Sequence, residues 1–245
     1  MNIGLYQSAA SLTALERWQD AVTQNITSSQ VMGYKKRTVD FQGVPMGEII
    51  SDNRGGNAVA GVLPSARYGV NFASGESLPT RRNLDVAIEG EGFFQVQSPT
   101  GERFYTRSGE FHIRNDRTLI TKDGNEVLSD GGAPITLTAD GGELAIGMDG
   151  TVSQGETQLG RLGLVRFADS NALLPAGNGM FRAAPGTAAL PVDNGQILQG
   201  HLEGSNVTPL REMVALVQIA RAYEANQKIL TSRDQILDRT LQALG

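Results

Sequence analysis

Residues 200–245 read GHLEGSNVTPLREMVALVQIARAYEANQKILTSRDQILDRTLQALG, and they set the terms for the rest of the chain. Counting from Met213 in alternating steps of three and four gives Met213, Leu216, Ala220, Tyr223, Gln227, Leu230, Asp234, Leu237, Leu241 and Leu244, eight of the ten apolar. That is the period of a coiled-coil seam. A second row, Leu210, Val214 and Val217, widens the apolar stripe at its N-terminal end, enough to touch more than one neighbour. Thr208 suits a cap, Pro209 the first helical position, and Glu212 the positive end of the helix dipole. A helix of about 36 residues is roughly 54 Å long. One small domain cannot cover such a length, so the helix needs partners along it.

The N-terminal residues repeat the pattern. Met1, Leu5, Ser8, Leu12, Leu15, Gln19, Val22 and Ile26 alternate by four and three, and six of the eight are apolar. A helix over 3–27 follows, ending at Thr27-Ser28-Ser29, where short polar side chains favour turns and Gly33 comes next. Two matching seams at opposite ends of a chain are hidden most simply against each other and against other copies.

Between them the composition changes. Residues 42–82 are punctuated by Gly-Gly, Pro and Ser-Gly and read as a long connector with short strands, such as Ala66–Phe72. From Asn83 the chain alternates strands and glycine turns. Phe94-Gln95-Val96-Gln97 and Phe111-His112-Ile113-Arg114 alternate cleanly, and Asp123-Gly124 is a hairpin signal. Further strands are expected at Ile135–Leu137, Leu144–Ile146, Val152–Ser153, Gly163–Phe167, Met180–Ala183 and Ile197–Leu202. Such spacing predicts an antiparallel β domain, a sandwich or open barrel, inserted between helical ends. The expected fold class is therefore α+β. Its divisions are residues 1–41 (first helix and turn), 42–82 (connector), 83–200 (β domain) and 201–245 (last helix).

The 245 residues carry a net charge of −5, which speaks against nucleic acid or an anionic membrane as partner. The absence of cysteine removes disulfides, thiolate metal sites and thiol nucleophiles. The N-terminus lacks the basic start and apolar run of a signal peptide or membrane anchor, so no membrane insertion is expected. Lys35, Lys36 and Arg37 beside Tyr34 make a basic cluster too small for nucleic acid; it reads as a solvated turn or a packing contact.

Catalytic groupings are scarce. His112 and His201 are the only imidazoles, and neither has metal-ligand spacing with carboxylates. Asp85, Glu89 and Glu91 could supply the paired carboxylates of a glycan hydrolase, but turn glycines surround them. Asp140-Gly141-Gly142 and Asp149-Gly150-Thr151 look like fragments of calcium loops without the closing glutamate, and read as hairpin turns. Gly90-Glu91-Gly92 lacks the third glycine of a dinucleotide fingerprint. A glycan-binding module would show an exposed aromatic platform, whereas Trp18, the only tryptophan, lies in the first helix. No catalytic, cofactor or metal residue is assigned, and the chain is expected not to be an enzyme.

Three separated motifs carry a resemblance. They are Gln24-Asn25-Ile26 with Gly33-Tyr34-Lys35-Lys36; Leu84-Asp85-Val86-Ala87-Ile88 with Gly90, Gly92-Phe93-Phe94 and Tyr105-Thr106-Arg107-Ser108-Gly109; and Leu202-Glu203-Gly204-Ser205-Asn206-Val207 with Glu212-Met213-Val214 and Arg221-Ala222-Tyr223-Glu224-Ala225-Asn226. Together they resemble the bacterial flagellar rod, hook and hook-associated axial proteins, within them the basal-body rod proteins. Gly204–Pro209 and Gly160–Val165 look like the proximal rod type, ahead of the distal type. Thr27-Ser28, Val31-Met32 and Ala220 depart from the family pattern at packing positions.

The resemblance implies a structural subunit exported through the flagellar type III apparatus. Its terminal helices would pack with other copies and with other rod proteins, including the distal one, in a rod that crosses the periplasm and transmits torque. The residues expected to form the subunit-packing seam are Leu5, Leu12, Leu15, Val22 and Ile26 with Met213, Leu216, Tyr223, Leu230, Leu237 and Leu241.

Overall fold

The computed structural model describes residues 3–49, 59–139, 142–192 and 195–244. The chain forms two compact units. One comprises Met1–Thr27, Arg37–Val70 and Thr208–Gly245, the other Ser28–Lys36 and Asn71–Val207.

The first unit holds helix α1 (Ile3–Thr27), strands β1 (Arg37–Ile49) and β2 (Val59–Val70), and helix α2 (Pro209–Leu244). The helices fall where periodicity puts them. α2 opens with the Thr208 carbonyl accepting from the N–H groups of Arg211 (3.0 Å) and Glu212 (3.3 Å). The first part of the expected connector is more ordered than its composition suggests, because β1 and β2 form one antiparallel hairpin, Arg37 opposite Val70 and Ile49 opposite Val59, with a register shift between Pro45 and Glu48. Its glycines and prolines weakened the strand signal, but cross-strand pairing over this length outweighs local propensity. α1 lies against the hairpin: Trp18 meets Phe41 edge-on at 5.7 Å, and the Arg17 guanidinium donates to the Ala66 carbonyl at 2.7 Å.

The second unit is antiparallel throughout. Its strands in chain order are β3 (Ser77–Pro79), β4 (Val86–Glu89), β5 (Phe93–Gln97), β6 (Arg103–Thr106), β7 (Phe111–Ile113), β8 (Leu119–Thr121), β9 (Glu126–Val127), β10 (Leu144–Ile146), β11 (Thr151–Gln154), β12 (Thr157–Arg161), β13 (Leu164–Arg166), β14 (Leu173–Gly177), β15 (Met180–Ala183), β16 (Leu190–Pro191), β17 (Gln196–Gln199) and β18 (His201–Glu203). The largest sheet runs β14-β15-β6-β5-β9-β8-β7, with β13 pairing β5 and β16. β10, β11 and β12 make a second sheet, while β17 pairs β4 and β18 pairs β3.

Val86, Phe94, Val96, Phe111, Leu119 and Val152 are fully buried in one core. Strand alternation supplies it, since Phe94 and Val96 face inward from β5 while the residue between them, Gln95, is only half-buried.

Two strand expectations change. Ile135–Leu137 makes only an isolated bridge, Thr136 with Thr118, although Ile135 and Leu137 are both buried. The run Ile197–Leu202 divides into β17 and β18 at Gly200, whose φ of +75° turns the chain. The Gly200 N–H donates to the Asp85 carbonyl at 2.8 Å, and its own carbonyl accepts from the Thr80 N–H at 2.8 Å. Asp123-Gly124 and Asp149-Gly150 form turns as read, whereas Asp140-Gly141 lies outside the described residues.

Candidate assembly site

In the helical unit, α1 and α2 pack against each other from the last turn of α1 and the first turn of α2. Of the seam residues expected from sequence, Leu15 and Val22 are buried, and Leu12, Ile26, Leu216, Tyr223 and Leu230 are half-buried. Met213 is 52% exposed. The side chains of Leu5, Leu237 and Leu241 lie outside the described set. The face that α2 turns inward is a line of Glu212, Ala215, Leu216, Ile219, Ala222, Tyr223, Asn226 and Leu230, rolled by about one residue from the counted seam. Glu212 and Ile219, each 2% exposed, are its most buried members, and a purely apolar count passes over the first of them.

The reason is a polar contact. Asn25, fully buried, donates from Nδ2 to the Glu212 carboxyl at 3.0 Å and to the Arg37 carbonyl at 2.9 Å, while its Oδ1 accepts from the Arg37 N–H at 2.8 Å. One amide thus ties the end of α1, the start of β1 and the start of α2. The roll leaves Leu210 (71% exposed), Met213, Val214 and Val217 as an uncovered apolar row on α2. On a single helix an apolar row of this kind marks a contact surface.

The β unit carries a second constellation, invisible to local reading. Lys35, taken from sequence as part of a solvated turn or packing contact, is 2% exposed, and its ammonium donates to the Glu203 carboxylate at 2.5 Å and to the Ala73 carbonyl at 2.8 Å. The other Glu203 oxygen accepts from Arg107 at 3.3 Å, and the Gly75 N–H adds a bond to the first at 2.9 Å. Arg107 also donates to the Gly90 carbonyl at 2.6 Å and stands over the Phe93 ring, 5.5 Å from its centre.

Burial pushes the Lys35 ammonium below its usual range, with the hydrogen bond and charge of Glu203 opposing it. Arg107 is lowered for the same reason. Backbone closes the knot: the Gly33 N–H donates to the Glu203 carbonyl at 2.7 Å, and a Cβ at Gly33 would sit 2.3 Å from the Ser108 nitrogen. Asn206 accepts from the Lys36 N–H at 2.7 Å and donates to the Asn71 and Ala73 carbonyls, each at 2.8 Å. Parts of all three sequence motifs meet here. Their chemistry is that of a structural clasp, in which a buried carboxylate is satisfied by two cations and a backbone amide.

The remaining chemical candidates lie apart. Asp85 is buried within 3.6 Å of Arg82, while Glu89 and Glu91 are exposed on the surface. His112 sits on β7, and the His201 ring contacts the Gln199 carbonyl at 3.1 Å. Among the described residues, no group of three His, Asp or Glu could hold a metal ion, and no helix is long and apolar enough to cross a membrane.

Two terminal helices folded into one unit, with an antiparallel β unit between them and an apolar row left uncovered, define an axial structural subunit. The chain belongs to the flagellar basal-body rod protein family. Residues 87–154 match the family described as flagellar hook protein FlgE/F/G D1 domain, and residues 198–243 the flagellar basal body rod FlgEFG protein C-terminal family. The chain is 35% identical over 245 residues to the flagellar basal-body rod protein FlgF of Caulobacter vibrioides, covering 100% of this chain and 99% of that one. It is 32% identical over 254 residues to FlgG of Bacillus subtilis, covering 95% and 96%. To FlgF of Rhizobium meliloti it is 31% identical over 247 residues, covering 100% and 99%. It is thus a structural component of the flagellar basal-body rod that assembles with related rod proteins, and its family is non-catalytic.

Proposed function

We propose that the chain is a proximal-type rod subunit. It is exported through the flagellar type III apparatus and built into the part of the drive shaft that crosses the periplasm, where it passes motor torque to its neighbours. The helical unit, Met1–Thr27, Arg37–Val70 and Thr208–Gly245, acts as the assembly domain, so that most of the expected connector 42–82 serves as its hairpin, and the unit of Ser28–Lys36 and Asn71–Val207 acts as the β domain. The observation that carries this reading is the uncovered row Leu210, Met213, Val214 and Val217 at the start of α2, beside the buried Glu212 and Ile219. Burying it against copies of the chain and against other rod proteins, the distal one included, removes apolar surface from water.

The expected seam, from Leu5, Leu12, Leu15, Val22 and Ile26 to Met213, Leu216, Tyr223, Leu230, Leu237 and Leu241, serves both the chain's own helix pair and its neighbours. The exposure of Met213 suits the second role. Alignment with the FlgF proteins takes 245 and 247 positions for a chain of 245 residues, whereas that with Bacillus subtilis FlgG takes 254, which favours the proximal type.

The test is Val217→Asp. Val217 is 53% exposed, so the free chain should keep its stability to within about 0.5 kcal/mol. Incorporation into isolated basal bodies should be lost, because a carboxylate within a packed interface is costly. Normal incorporation would remove this surface from the assembly. Gold label on a tagged chain, found near the inner-membrane ring or farther out, separates the proximal from the distal position.

A further inference from the structure

The apolar faces of α1 and α2 do not by themselves fix how far one helix is slid along the other. α1, which packs on both α2 and the hairpin, buries Ala14, Leu15, Ala21 and Val22, and the inward line of α2 carries Ala215, Leu216, Ile219, Ala222 and Tyr223. Sliding α2 by seven residues brings Ala222 to the place of Ala215, Tyr223 to that of Leu216 and Ile219 to the buried place of Glu212, so those positions stay filled, while Asn226 moves to the place of Ile219. Area burial discriminates weakly between such registers. The Asn25–Glu212 bond does not repeat: seven residues on from Glu212 is Ile219, which offers no acceptor, and a slipped pairing would lose a bond between two almost fully buried polar groups. A single buried polar residue is known to set register in helix pairs at some cost in stability.

We infer that Asn25 and Glu212 are the positioning residues that set the register of α1 against α2, and so fix how far along α1 the outer apolar row of α2 stands. Glu212 acts through Asn25. Asn25 is held by strand β1, whose Arg37 N–H and C=O it also binds, so the pin has a fixed base. This goes beyond the assembly reading and stands whether or not that reading holds, since its readout is the register of the free chain.

The chain has no cysteine, so introduced pairs report register without background. From Asn25 and Glu212, one turn back along α1 and one turn on along α2 gives Val22→Cys with Leu216→Cys as the native-register pair. Val22→Cys with Tyr223→Cys reports a slip of seven residues. With Glu212 in place only the first pair should close to a disulfide under mild oxidation. Glu212→Leu leaves the Asn25–Arg37 bonds intact and removes the helix-to-helix bond; it should raise the slipped product relative to the native one by about tenfold, the factor that 1.4 kcal/mol makes in an equilibrium constant. Glu212→Gln keeps an acceptor and should restore the single native product.

Glu212→Leu closing only the native pair would overturn the inference. So would Glu212→Gln slipping as far as Glu212→Leu, which would assign the effect to charge in the first helical turn. Loss of helix in Glu212→Leu by circular dichroism, instead of a second register, would overturn it too, by making Glu212 a requirement for folding.

Discussion

The two units of this chain are stabilised in different ways. The β unit closes its own core: side chains as large as Phe94, Phe111, Leu119 and Leu128 reach zero exposure, and its buried Lys35 and Arg107 both pair with Glu203 inside it. The helical unit buries fewer apolar side chains and none of them a phenylalanine, namely Ala14, Leu15, Ala21, Val22, Ala66 and Ile219, and leaves Leu210, Val214, Val217, Ile229 and Ile236 in contact with solvent. The β unit thus meets its own apolar demand, whereas the helix pair still has an apolar row to bury. The same contrast explains why substitutions should act differently in the two units.

The sharpest way to break the comparison is Glu203→Ala. It would leave Lys35 and Arg107 buried without their carboxylate, and removing one partner of a buried ion pair costs about 3–5 kcal/mol. Chemical denaturation of the full chain should show that loss in the β transition. A change below about 1 kcal/mol, typical of exposed pairs, would mean that the cluster is solvated.

Amide exchange sharpens it further. In the dilute free chain, α2 amides beyond Leu230 should exchange faster than those of β5 and β6, and become protected only in the assembled rod. Equal protection of the two regions in the monomer would make the helical unit as self-sufficient as the β unit.

The smallest expected effect lies on the surface of the β unit. Asp116 accepts from Arg114 at 2.6 Å and from the Thr118 N–H at 3.1 Å, and these bonds hold its carboxyl well below the usual carboxylate range. Since the folded value is the depressed one, its contribution is complete above the unfolded value of about 3.9 and is lost as pH falls through the folded value. Asp116→Asn should therefore be slightly less stable than the parent near neutrality and match it in strong acid. A gap that stays constant from pH 7 to pH 2 would separate the effect from the titration of Asp116.

Much of the architecture was legible in one dimension. The 3-4 spacing from Met213 and from Met1 located both helices, because helix formation depends on neighbours three and four residues away. Two-residue alternation located β5 and β7, and Asp-Gly pairs marked turns. The hairpin of β1 and β2 was only glimpsed, since its stability lies in pairing across the turn. The β12 and β14 strands gave no clear alternation: β12 is exposed to half-buried along its length, and β14 buries only Leu173.

Sequence by itself thus determined the helices at both ends, the antiparallel character between them and, through three motifs in order, the rod family. Only the tertiary structure decided that Lys35 is a buried partner of Glu203, 168 positions away, and that Asn25 meets Glu212 across 187. It also decided which side of α2 faces inward. Periodicity states that a helix has an apolar side, but its rotation and register against a partner depend on hydrogen bonds between residues that local spacing never brings together.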